Sequence, residues 1–246
     1  MLRANCPRAL IGLAPTGECF LPKNDSPEAV ETARAKSLSM RSDYVMSNVW
    51  RADPIFLGKY PERAKEQLGD TLYPMSREEW ACVSQPLDFY GFNCYQGAVT
   101  RRDPGESSGY DEYAYQGSSR TAIKWNVTDE ALYWSARFLY ERYGKPLLVT
   151  ENGCACNDRM ALDGKVHDSN RSDFIHRYLL NLRRAVNGGI PVLGYQYWSL
   201  LDNFEWAEGY DIRFGLVYVD YRTQKRTVKD SAYWYKELIA SNGESL

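Results

Sequence analysis

The sequence predicts an α/β protein with a parallel sheet, and three observations carry that expectation. Four short runs, "RALIGLAP", "LDFYGFNCY", "KPLLVTENG" and "IPVLGYQYWS", are almost continuously apolar or aromatic, as strands covered on both faces should be. Helical patterns lie between them, and such alternation implies crossovers that set the strands parallel. Near the C-terminus, "RFGLVYVDYRTQKRTVKD" alternates and reads as a β-hairpin outside that sheet.

Each element has its own signal. After the first strand, Asp25 or Ser26 can cap a helix through "EAVETARAKSL", with Pro27 in its first turn. Residues 41–85 and 96–125 read as long irregular connections around the second strand. Thr128 is placed to cap "DEALYWSARFLYERYG", in which Leu132, Ala136, Leu139 and Tyr143 share a face and Gly144 marks the stop. After the third strand, Ser172 is placed to cap a helix whose stripe is Ile175, Tyr178, Leu179, Leu182, Ala185 and Val186. Gly188 and Gly189 end it, and Pro191 blocks its continuation. Residues 202–229 form a third long connection that contains the hairpin, and "SAYWYKELIA" closes the chain as a helix. Length alone would accommodate a closed (β/α)8 barrel, which needs roughly 200 to 250 residues. Four strands do not close one.

Composition narrows the function. The net charge of −2 argues against a nucleic-acid partner, which calls for a basic patch or stripe. No apolar run reaches the roughly 18 residues of a membrane span. The start, "MLRANCPRAL", shows no apolar h-region, so the expectation is a cytoplasmic protein without a secretory signal. Asn24, Asn126 and Asn170 each begin an N-x-S/T triplet, which carries little weight on that reading. The cysteines Cys6, Cys19, Cys82, Cys94, Cys154 and Cys156 are scattered, and the last two form C-x-C with only His167 and His176 available elsewhere. That set does not suit a zinc site and reads as reduced thiols, with no metal or cofactor implied. Aromatic residues make up 14% of the chain, including 19 Tyr and 7 Trp; a large core uses such rings, and so does a site that stacks sugars.

The chemistry concentrates at strand ends, where parallel α/β architectures carry their sites. "GFNCY" delivers Asn93 and Tyr95, "LLVTENG" delivers Glu151, and "GYQYWS" delivers Trp198. "LLDNFEWAEGYDIRFG" then adds Glu205, Trp206 and Phe214. A lone strand-end glutamate is commonly a cap or loop anchor. A carboxylate, a phenol, an amide and several indoles at three strand ends suit a sugar, with the carboxylate able to attack an anomeric carbon and the phenol able to orient it.

"LLVTENG", "DFYGFNCY", "YWSLLDNFEWAEGYDIRFGLVYVDY" and "DPIFLGKYPE" resemble, in order and spacing, the signature segments of glycoside hydrolase family 1 β-glucosidases. "IGLAPTGECFLPKNDSPEAVETAR" resembles the segment that opens that family's fifth barrel strand. The resemblance implies a (β/α)8 TIM barrel that hydrolyses β-glycosides with retention, using two glutamates. It makes Glu151 the nucleophile, with Tyr95 hydrogen-bonded to it and Asn93 close to the sugar. Trp198 would stack under the glycone, Glu205 and Trp206 would bind its hydroxyls, Phe214 would wall the pocket, and Trp125 would lie near the leaving group. Relatives specific for 6-phospho sugars place a serine where Glu205 stands; a carboxylate there repels a dianionic phosphate.

The departure from the family is the acid/base carboxyl, expected about 5 to 5.5 Å from the nucleophile in a retaining enzyme and carried there in a T-x-N-E-P motif absent from this sequence. The family's glycone-binding Gln and His from earlier strands are missing too. The expectation is therefore a C-terminal half-barrel, strands five to eight, forming one partial domain over residues 1–246. Its partners would be a β-glucoside or other β-glycoside and either an N-terminal half-barrel or a second copy. The alternative is a catalytically silent carbohydrate-binding or structural fragment.

Overall fold

A computed structural model describes residues 2–40, 46–99 and 117–246. In chain order its elements are α1 (Leu2–Asn5), β1 (Gly12–Leu13), β2 (Phe20–Leu21), α2 (Pro27–Ser37), α3 (Asn48–Ala52), α4 (Ala64–Leu68), α5 (Arg77–Val83) and β3 (Phe89–Asn93). There follow β4 (Ala98–Val99), α6 (Ala131–Tyr143), β5 (Leu147–Asn152), α7 (Ser169–Asn187), β6 (Val192–Tyr197), β7 (Val217–Val219), β8 (Arg226–Val228) and α8 (Asp230–Ala240). The four expected strands form one sheet in the order β1-β3-β5-β6, every pairing parallel. β7 and β8 make the separate antiparallel hairpin, and β2 pairs with β4 in a further two-stranded piece.

The helices cover one face of the sheet. On that side Tyr90, Phe92, Leu147 and Val149 are buried against Leu132, Phe138, Ile175, Tyr178 and Leu182. Leu148 and Thr150, which alternate to the opposite face, are only half-buried. The expectation of strands covered on both faces is thus corrected: among the described residues, helices lie over one face. The sheet stays open, with Leu193 at its β6 edge half-exposed.

Local signals were partly overridden. Ser26 caps α2, its Oγ accepting from the Ala29 N–H. Thr128 does not cap α6; its Oγ1 accepts from the Gly97 N–H at 2.7 Å instead, and the helix begins three residues later. Ser172 lies inside α7, which starts at Ser169. Val186, expected in the buried stripe, is 47% exposed; it keeps the stripe's side but stands in the last turn, one residue before the helix ends at Asn187. Residues 41–85 are not irregular where described: they hold α3, α4, α5 and a π-helical turn over Asp53–Leu57. Of the connection expected over residues 96–125, residues 100–116 lie outside the described residues. No described helix is long and apolar enough to cross a membrane.

Candidate active site

Three strand ends form the candidate site. The end of β3 carries Asn93 and, two residues on, Tyr95; β5 ends on Glu151 and Asn152; β6 runs out into Trp198. Backbone bonds stitch the ends together: Cys94 N–H donates to the Glu151 carbonyl at 2.9 Å, and Trp198 N–H donates to the Asn152 carbonyl at 2.8 Å. The buried Asn152 side chain cross-links in both directions. Its Nδ2 donates to the Cys94 carbonyl and its Oδ1 accepts from the Tyr195 hydroxyl, each at 2.7 Å. A buried amide satisfied at both ends acts as a strut. Gly153 must be glycine, since a Cβ there would sit 1.9 Å from the Trp198 carbonyl oxygen. The run "ENG" is therefore a carboxylate followed by a strut and a close-contact residue.

The Tyr95 hydroxyl donates to Glu151 Oε2 at 2.8 Å. Burial pushes the Tyr95 phenol far above its ordinary range, and the bond to Glu151 and the charges of Glu151 and Glu205 push it further. It therefore stays protonated, and its hydrogen bond fixes the carboxylate's orientation. The Tyr95 ring packs at 5.1 Å on Trp125 and 6.0 Å on Phe214, and those two lie 6.0 Å apart, an aromatic wall beside the carboxylate. Across the mouth, Trp198 Nε1 donates to Glu205 Oε2 at 3.4 Å. Burial raises the pKa of Glu205; the bond from Trp198 lowers it, and the charge of Glu151 raises it again. The two carboxylates thus face a shared space. Asn93 stands at the same end, its Oδ1 accepting from Thr150 Oγ1 at 2.7 Å. A cavity of about 360 Å³ opens beside Asn93, Tyr95 and Trp125. Trp206 stands apart, 83% exposed on a single 3-10 turn. Among the described residues, no group of three or more His, Cys, Asp or Glu side chains is arranged to hold a metal ion.

Sequence reasoning missed what holds this mouth in place. Six charged side chains meet beneath the loop that joins Trp198 to Phe214. Arg171, fully buried, donates to Asp158 at 2.6 Å, to Asp168, and to the Arg213 carbonyl. Lys229, also fully buried, bridges Asp158 at 2.6 Å and Asp202 at 2.8 Å. Arg213 donates to Asp202 at 2.5 Å. Burial works against ionised Asp158, but Arg171 and Lys229 more than offset it and hold its pKa below the usual carboxylate range. Three cations balance three anions, the condition under which burying them is tolerable. Asp202 in "LLDNFEW" was a visible signal, an acid in an apolar run; its partner Lys229 lies 27 residues away.

The sequence profile of glycosyl hydrolase family 1 matches residues 2–244. A 1,4-β-D-glucan glucohydrolase from Thermotoga neapolitana is 37% identical over 234 residues, which cover 95% of this chain and 51% of the relative. The solved family 1 β-glucosidase from Thermotoga maritima superposes with a TM-score of 0.81 at 34% identity, covering 98% of this chain and 53% of that one. The same enzyme in complex with isofagomine lactam gives a TM-score of 0.80 at 34% identity, covering 98% and 53%. The chain spans about half the length of the curated relatives it matches.

Proposed function

The chain belongs to glycosyl hydrolase family 1, and from that premise we propose that it carries the nucleophile side of a retaining β-glucosidase site. The observation that carries the reading is the Tyr95–Glu151 hydrogen bond at the strand ends. In this reading Glu151 attacks the anomeric carbon of a β-glucoside from the face opposite the leaving group. A glycosyl-enzyme forms and water then hydrolyses it. Tyr95 holds the attacking carboxylate, Trp198 stacks on the glycone, Glu205 binds its hydroxyls and Asn93 lies close to it, while Trp206, which stands apart, takes no part in this chain's own pocket. Phe214 and Trp125 complete the wall toward the aglycone. No cofactor or metal enters the reaction.

Protonation of the leaving oxygen falls to a second carboxyl. No T-x-N-E-P motif supplies it here, and Glu205 is engaged by Trp198. We infer that residues 1–246 act as one partial barrel whose acid/base group comes from a complementary half. General acid assistance is typically worth about 10² to 10⁴-fold, so the isolated chain should show negligible cellobiose hydrolysis. An activated substrate needs no proton on its leaving group. Incubation with a dinitrophenyl 2-deoxy-2-fluoro-β-glucoside should therefore label Glu151 slowly, as read by peptide mass spectrometry, and Glu151→Gln should abolish labelling. Labelling elsewhere, or robust cellobiose turnover by the chain alone, would sink the reading. Sugar-dependent quenching of tryptophan emission without any labelling would favour a carbohydrate-binding fragment.

A further inference from the structure

Three residues beyond Glu151 lies a pair of thiols that the sugar chemistry does not use. Cys154 Sγ and Cys156 Sγ are 3.6 Å apart, because alternate residues of an extended segment project to the same side. Two bonds hold the segment extended: the Ala155 carbonyl accepts from the Ala122 N–H at 2.9 Å, and Cys156 N–H donates to the Arg213 carbonyl at 3.0 Å. Bonded sulfurs stand about 2.05 Å apart, so the two atoms need approach by only about 1.5 Å, within reach of χ1 rotation and a small backbone shift.

We propose that Cys154 and Cys156 form a reversible disulfide, a redox modification site that acts on the neighbouring strand ends. Geometry and electrostatics divide the roles. The contact with Cys154 lowers the pKa of the Cys156 thiol, burial opposes this, and the Arg171 guanidinium supports it. The same contact, with burial, pushes Cys154 upward. Cys156 is partly exposed and Cys154 is buried, so Cys156 is the thiol an oxidant meets first and Cys154 the resolving thiol. Both line a cavity of about 690 Å³ whose wall also carries Arg120, His167 and Arg177, so a small oxidant reaches them from outside the sugar mouth. With hydrogen peroxide, the Cys156 thiolate attacks one oxygen, the O–O bond breaks, and hydroxide leaves to take up a proton as water. The resulting sulfenic acid is attacked by Cys154 sulfur, the S–S bond forms, and the sulfenic oxygen departs as a second water. Two electrons pass from the thiols to the peroxide, and a dithiol reductant returns them.

The consequence lies in what the segment touches. Cys154 N–H donates to the Tyr197 hydroxyl at 3.3 Å, and that hydroxyl donates to the Phe214 carbonyl at 3.0 Å. Gly153 packs against the Trp198 carbonyl with no room to spare. Drawing the sulfurs together therefore shifts the backbone that seats Trp198 and Phe214, between the sheet and the loop carrying Glu205. The thiol chemistry itself does not depend on the sugar reading.

The test uses the full chain. The exposed cysteines Cys6 and Cys82 are replaced in a C6S/C82S variant, which is treated with stoichiometric hydrogen peroxide and mapped without reduction. The peptide spanning 154–156 should lose two hydrogens and regain them with dithiothreitol. Before oxidation, iodoacetamide should modify the partly exposed Cys156 faster than the buried Cys154. Tryptophan emission should shift with oxidation and return on reduction. Unmodified Cys154 and Cys156, or a terminal sulfinic acid on Cys156 without the disulfide, would overturn the site. Full disulfide formation with unchanged emission would overturn its coupling to the strand ends. Wild-type chain mapped in parallel guards against a folding defect in the variant, and a bridge from either thiol to Cys6 or Cys82 there would also count against the pair.

Discussion

On the β1–β3 flank the covering elements meet the sheet through stacked rings: Phe56 on Tyr90 at 4.7 Å and Tyr90 on Tyr143 at 5.0 Å. One buried carboxylate, Asp53, sits there, bound by Arg142 and by the Tyr143 hydroxyl. On the β5–β6 flank, Asp158, Asp168, Arg171, Asp202, Arg213 and Lys229 do the joining. The reason lies in the loop being held. Between Trp198 and Phe214 its large apolar residues face outward, with Leu200 68%, Phe204 56% and Tyr210 56% exposed. A segment that turns its rings outward has little apolar area left to anchor itself. Buried ion pairs take over, and they add directional constraint that apolar packing lacks.

Removing one charge from each flank tests whether the two are held differently. Lys229→Met leaves three buried carboxylates to two cations, Arg171 and Arg213, and should destabilise the fold by about 3–5 kcal/mol. Arg142→Met should cost clearly less, because Arg142 is partly exposed and Asp53 keeps its bond from Tyr143. Urea unfolding followed by far-ultraviolet circular dichroism reads both. Equal losses would mean that the flanks are not held differently.

A second comparison sets orientation against stability within the mouth. Tyr95→Phe removes a hydrogen bond to a charged group, worth roughly 1.5–3 kcal/mol. If, as proposed, that bond orients the attacking oxygen, labelling of Glu151 by an activated fluoro-glycoside should slow by about ten- to a hundredfold. Tyr195→Phe removes the hydroxyl from the Asn152 strut, and its main effect should be stability loss of about 1 kcal/mol. If Tyr195→Phe slows labelling as much as Tyr95→Phe, the strut governs the carboxylate as strongly as its direct partner does.

Much of this was legible in the sequence, and the part that was not has a physical explanation. β3, β5 and β6 announced themselves because each carries three or more apolar residues, and the strand ends then located Tyr95, Glu151 and Trp198. The short helices α3, α4 and α5 span five to seven residues, too few to show a periodic stripe. The Thr128 cap failed because a tertiary donor, the Gly97 N–H, claimed its hydroxyl. The charge cluster was invisible because its members lie far apart in the chain, Asp158 and Lys229 by 71 residues; only folding brings such acids and bases into register. Trp206, placed by resemblance among the hydroxyl-binding residues, is instead exposed on a three-residue 3-10 turn.

The smallest expected effect tests the exposed rim of the same clamp. His167 joins Asp230 at 2.6 Å and Asp163 at 3.0 Å, tying the start of α8 to the segment ahead of α7 just outside Lys229. All three side chains are about half exposed. The bonds to Asp230 and Asp163 raise the His167 pKa above its ordinary 6.5. A raised folded-state pKa favours the folded protein fully below the unfolded value and loses that contribution as pH rises through the folded value. His167→Gln should therefore lower the melting temperature slightly near pH 5.5, and the gap from wild type should close by about pH 8 to 9. Exposed pairs are screened by salt, so 1 M sodium chloride should erase most of the difference at pH 5.5. The Lys229→Met loss should persist under the same salt, since its charges are buried. A His167→Gln deficit that survives 1 M salt, or grows toward alkaline pH, would show that this histidine belongs to the buried network rather than to its rim.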